Sequence, residues 1–122
     1  MNLIINDTNY ELNFGLKFCK EISKDKQESS HGIDLRLGIE NAVTNLYTGD
    51  VLILPSLIKA ATSHHKQKPS DKDIEEFLDN HDDLGGLCDD FLLELLEQSA
   101  TKKKASEVYN SLEKEKDEET EV

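Results

Sequence analysis

The stretch HHKQKPSDKDIEEFLDNHDD, residues 64–83, holds three histidines and seven acids. These residue types bind zinc or calcium and carry acid–base chemistry. Zinc takes about four nitrogen, sulfur or carboxylate ligands in a tetrahedral array. Side chains of adjacent helical residues point about 100° apart, so His64 and His65 make a poor ligand pair with His81. Neither H-E-x-x-H nor C-x-x-C occurs. A calcium loop of the EF-hand kind needs oxygens at alternate positions and glycine at the sixth. Counted from Asp71 or Asp73, the sixth position is Glu76 or Leu78. Paired-carboxylate catalysis needs two acids in one pocket with different pKa values. The acids here fall on the polar side of amphipathic helices. No glycine-rich phosphate loop is present, and no serine or cysteine has a base at a suggestive spacing. The sequence therefore predicts no catalytic residues, no metal ligands and no cofactor. The bland assignments are helix-end histidines and a solvated or partner-facing acidic surface.

The charge balance sharpens that surface. The chain has 122 residues and a formal net charge of −12. Residues 1–69 are neutral, with eight acids against eight Lys and Arg. Residues 70–97 hold eleven acids and one lysine. Lys102, Lys103 and Lys104 make the next segment basic, and residues 113–122 return to an excess of acids. Nucleic-acid binding needs cations that neutralise phosphates, so this balance points away from it and from anionic membranes. It favours a basic or amphipathic protein partner. Cys19 and Cys88 stand far apart in apolar settings, as two buried thiols of a reducing compartment would. No secretory signal is visible after Met1, and the longest apolar run, VLILP, is too short to span a bilayer.

The elements that position these residues follow from periodicity. Leu3 and Ile5 alternate with Asn2 and Ile4, and Tyr10, Leu12 and Phe14 with Glu11 and Asn13; with NDTN between them this predicts a hairpin over residues 2–13. From Phe14 the period changes: Phe14, Phe18 and Ile22, with Cys19, form a helical stripe. Residues 23–32 are polar and read as a loop. Asp34 can cap a second helix carrying Leu35, Ile39, Val43, Leu46 and Tyr47, stopped by Gly49, with Gly38 as either a cost or a close packing point. Asp50 can cap a third, whose regular part starts near Pro55 because proline fits only the first turn, and which HKQKP ends. Ser70 and Asp73 form a capping box for a helix with Ile74, Phe77 and Leu78. Gly85 and Gly86 predict a break or bend. Leu84, Leu87, Cys88, Phe91, Leu92 and Leu95 then mark the next helix, which ends near Ser99 or continues through Ala105, Val108, Tyr109 and Leu112. The class is mainly α with a short N-terminal β-hairpin (α+β), a small helical domain of about five helices. It spans residues 1–112 as a single domain, followed by a disordered acidic tail over 113–122.

Leu93 and Leu96 lie beside the main stripe of the helix that starts near Leu84 and widen it. A wide stripe edged by acids serves the core, or serves the core and a partner helix together. The expected partner-binding residues are Glu75, Glu76, Asp79, Asp90, Leu93, Glu94 and Leu96.

YELNFGLKFCKEI, followed by GIDLRLGIENAVTNLYTGDVLILPSLIKAATSHHKQKPSDKDIEEFLDN, resembles the tail assembly chaperones of long, non-contractile-tailed phages of Gram-positive bacteria. The likeness covers residues 2–97. It consists of the hairpin, the Phe14 and Gly15 junction, the L-x-x-GD helix end at 46–50, Ala60 and Ala61, Pro69 and Ser70, and IEEFLD at 74–79. The resemblance implies non-enzymatic work in the host cell cytoplasm. Such a protein binds the tape measure protein, keeps it soluble until tail-tube subunits polymerise around it, and is absent from the finished virion. The tail tube protein is a second candidate partner, and a homo-oligomer or several copies on one client would suit the task. A small acidic helical adaptor or regulatory protein, or a metal-dependent enzyme, remains an alternative on the residues alone.

Overall fold

Asn6 and Asp7 both take positive φ, 50° and 62°, and so form the tight two-residue turn that matches strand twist. Their short polar side chains tolerate that conformation better than most. Strand β1 (Asn2–Ile5) pairs antiparallel with β2 (Thr8–Glu11), Leu3 facing Tyr10 and Ile5 facing Thr8. Leu3 and Ile5 are buried while Asn2 and Ile4 are exposed, so one face of the hairpin meets the helices. The computed structural model describes residues 1–24 and 35–120, with side chains for 1–24 and 37–117. The predicted loop at 23–32 and the Asp34 cap lie mostly or wholly outside the described residues.

Six α-helices follow among the described residues, one more than the periodicity suggests. Helix α1 is Leu16–Ser23 and α2 is Leu35–Tyr47. A 3₁₀ turn, Val51–Ile53, leads into α3 (Leu54–Ala61), and α4 is Asp71–Asp79. Helix α5 is Leu84–Glu97 and α6 is Lys102–Thr120. Helix α2 is the centre, packed by α1, α5 and α6, while α3 bridges α1 to α4. Phe14 leaves the hairpin and wedges its ring edge-on to Phe18 and to Phe91, with centroids 5.0 and 5.8 Å away. The Asn13 amide donates to the Ala61 carbonyl at 2.9 Å and pins the same exit to the end of α3.

Gly38 is a packing point. A Cβ there would sit 2.1 Å from Ser23 Oγ and 3.0 Å from the Ser23 backbone, so α1 and α2 cross where only hydrogen fits. Gly49 closes α2 at φ +74°, the left-handed conformation glycine adopts without a Cβ penalty.

Three differences from the sequence expectations have local causes. Gly85 and Gly86 do not break the chain; they lie in the first turn of α5, because Asp83 Oδ1 accepts the Gly86 N–H at 2.9 Å and caps the helix. Helix α3 stops at Ala61, before HKQKP, where the Thr62 and Ser63 hydroxyls donate to the Ile58 and Ala60 carbonyls. Of the two courses open after Glu97, the structure takes the first: α5 ends beside Ser99. The chain turns at Thr101, whose buried hydroxyl donates to the Leu95 carbonyl at 2.7 Å, and α6 comes back onto α2. Finally, α6 runs to Thr120 across most of the expected disordered tail. Glu and Lys there are good helix formers, and each residue added to an existing helix gains a hydrogen bond without a new nucleus. Tyr47 also donates to Glu113 at 3.1 Å, which ties the early part of this stretch to α2.

Candidate partner-binding site

Helix α4 begins with a complete capping box. The Asp73 amide donates to Ser70 Oγ at 3.0 Å, and the Ser70 amide donates to Asp73 Oδ2 at 3.4 Å. Ile74 and Leu78 face inward and are buried. The remaining positions make α4 a charged ridge with a hollow on each side.

On one side, Ile74, Glu75, Leu78 and Asp79 look across to the 3₁₀ turn and α3. A cavity of about 270 Å³ lies between Val51, Leu52, Pro55, Leu78 and Leu84, with Glu75 and Asp79 on its edge. A second of about 180 Å³ continues it past Pro55 and Ile74 toward Lys59 and Asp71. Lys59 Nζ lies 3.3 Å from Asp71 Oδ1 and closes that end with a neutralised pair. Glu75 and Asp79 have no ion-pair partner among the described residues. Leu52 is 83% exposed, more than any other large hydrophobic side chain described. On the other side, a wider hollow of about 530 Å³ separates α4 from the hairpin tip, with Ile4 and Phe77 as its apolar part and Glu76 among its acids.

The structure separates the seven expected partner residues. Glu75 and Asp79 edge the α3–α4 groove, and Glu76 faces the hairpin side. The four on α5 line none of these hollows. Asp90 is exposed, Leu93 is 54% exposed, and Leu96 is half-buried against the core. Glu94 is half-buried and accepts a hydrogen bond from Gln98 at 2.7 Å. Sequence reasoning missed Val51, Leu52, Pro55 and Leu84. The signal was the run VLILP: consecutive apolar residues on a helical segment cannot all face one core.

The reactive residue types are engaged elsewhere. His65 Nε2 lies 2.8 Å from the Glu11 carbonyl oxygen, and its ring meets Tyr10 edge-on. His64 stacks beside it with ring centroids 4.0 Å apart. Partial desolvation, then the neighbouring His65, pushes the His64 pKa down. His81 packs edge-on to Phe77 and accepts the Asp83 amide at Nδ1. Among the described residues, no three His, Cys, Asp or Glu side chains converge on a point that could hold a metal. Burial pushes both thiols, Cys19 and Cys88, above their ordinary pKa, the reverse of an activated nucleophile. No described helix is long and apolar enough to cross a membrane.

The hairpin packs on a helical core, and α4 is an acidic ridge with a hollow on either side. The family model described as "Phage tail assembly chaperone protein, TAC" matches residues 2–111. The chain belongs to this family. As a tail assembly chaperone it acts in phage tail assembly and is not an enzyme. The family match extends past the resemblance at 2–97 and takes in α6 as far as Ser111. No curated protein and no solved structure matches this tail assembly chaperone.

Proposed function

We propose that the chain binds the tape measure protein of a long, non-contractile-tailed phage or prophage of a Gram-positive host. It holds this client in the host cytoplasm until tail-tube subunits enclose it, and it stays out of the finished virion. A tape measure protein exposes amphipathic helix before its tube forms, and such helix aggregates unless its apolar edge is covered. The observation that supports this reading is an apolar groove whose edge acids, Glu75 and Asp79, have no ion-pair partner among the described residues. Apolar contact supplies affinity. Unpaired rim charge supplies encounter rate and keeps a large complex soluble. Several weakly bound copies along one client combine avidity with easy release.

Co-expression with the tape measure protein, followed by pull-down, tests this function. The wild type should keep the client in the soluble fraction and co-purify with it. Reversing Glu75, Glu76 and Asp79 together should slow association at low salt and flatten its salt dependence while the fold persists. A client that precipitates equally with and without the chain would defeat the proposal.

A further inference from the structure

We infer that the groove between residues 51–55 and α4 seats about two turns of an amphipathic client helix whose apolar edge is flanked by lysine or arginine. This inference rests on the chaperone function proposed above and identifies the surface and the client chemistry. The walls are helical on both sides: Leu52, Pro55 and Lys59 on one, Leu78, Glu75 and Asp71 on the other. The pairing of Lys59 with Asp71 at 3.3 Å, and the shared cavity of Leu52 with Leu78, show that the walls run antiparallel. From Leu52 to Lys59 the wall is roughly 10 Å long at helical rise, which is about two turns of a guest helix. A third helix laid between two others is the natural filling of such a groove.

The two cavities differ, and the difference sets an order on the guest. The larger takes the main apolar anchor, between Leu52 and Leu78. The smaller takes a second anchor three or four residues away, beside Pro55 and Ile74. Glu75 and Asp79 stand one turn apart on the lip of the larger cavity without a cation among the described residues. Asp71, at the smaller, is already paired with Lys59. Glu75 borders both cavities and Asp79 only the larger, so the guest's Lys or Arg lies beside its main anchor or between the two anchors. Leu52, at 83% exposure, is the side chain that binding would cover most.

The test uses the full chain and fluorescent peptides of about twenty residues that tile the tape measure protein of the same phage. The tiles bound by wild type should share two apolar residues three or four apart with Lys or Arg within one turn of one of them. Leu52→Gln should weaken those tiles about tenfold or more, with an unchanged melt. Leu93→Gln should stay within about twofold. Replacing the tiles' Lys and Arg with Glu should abolish binding at low salt. Equal binding by Leu52→Gln, or by the charge-reversed tiles, overturns the inference. So does a wild-type dimer that Leu52→Gln dissociates, since the groove would then be covered by a second copy. Pull-down of the full-length client separates the two levels. If wild type and Leu52→Gln capture it equally, the groove assignment falls and the chaperone function stands. If wild type captures neither tiles nor client, both fall.

Discussion

Gly38 shows how one missing side chain sets the distance between two helices. Alanine there gains about 1 kcal/mol of helix propensity. It also drives a methyl group toward the Ser23 backbone at 3.0 Å, where overpacking costs about 1–3 kcal/mol. The backbone contact cannot swing away, so the clash wins, and Gly38→Ala should lower stability by about 1 kcal/mol in denaturant melts. A stabilised variant would mean that α1 and α2 are not in close approach. Titrating groups give a second expectation at this scale. Burial raises the pKa of Cys19 and Cys88 above the ordinary 9.0, with the Asp89 and Asp50 charges also acting on Cys88. Desolvation and then Glu113 raise Tyr47; the Glu113 charge first raises Tyr109; the bond to Glu40 raises Lys104. A group raised in the folded state keeps its full stabilising effect below its unfolded pKa and loses it as pH rises. All five shifts have the same sign, so melting temperature should fall as pH rises from about 9, while the same shifts predict no loss between about pH 6 and 8. A melting temperature that rises between pH 8 and 10 would contradict these assignments.

At the scale of the element, α4 and α5 make separable predictions. The Ser70 cap satisfies an otherwise unpaired amide at the start of α4, and Ser70→Ala should cost about 1 kcal/mol. Because α4 forms one wall of the groove, the same variant should also weaken client capture. Helix α5 buries Phe91 completely and leaves Leu93 54% exposed. Phe91→Ala should therefore cost about 3–5 kcal/mol, and Leu93→Ala should stay within about 0.5 kcal/mol. Chemical denaturation of the two variants measures the difference directly. Similar costs would mean that the buried face of α5 is misassigned.

Across the whole molecule, charge is unevenly carried. Of a net −12, the segment 70–97 alone holds eleven acids against one lysine. Few described pairs offset them: Lys59 reaches Asp71 at 3.3 Å and Lys72 reaches Glu76 at 4.0 Å, both at exposed positions. Exposed pairs of this kind contribute little, whereas self-repulsion of unneutralised acids is relieved by salt. Raising sodium chloride from roughly 20 to 150 mM should therefore raise the melting temperature of the isolated chain, as scanning calorimetry would show. The same salt should slow client association. Opposite responses of fold and encounter are the signature of charge placed for a partner and not for stability.

The amino-acid sequence alone determined what depends on neighbours a few residues apart. The turn at Asn6 and Asp7, the capping box at Ser70 and Asp73, the start near Pro55, the end at Gly49 and the buried stripe of α5 are all legible there. Each rests on backbone conformation or helical period, which short segments encode. Much of the mainly helical class with its hairpin follows from the same local signals. The tertiary structure decided what depends on residues far apart. It made Gly38 a contact with Ser23 and folded α6 back onto α2. It also set Leu52 and Pro55 across a groove from Glu75 and Asp79, while Leu93 and Leu96 lie on α5 outside that groove. A periodic pattern tells which side chains share a face of one helix. Whether that face is covered depends on what a distant part of the chain brings to it, and only packing in three dimensions determines that.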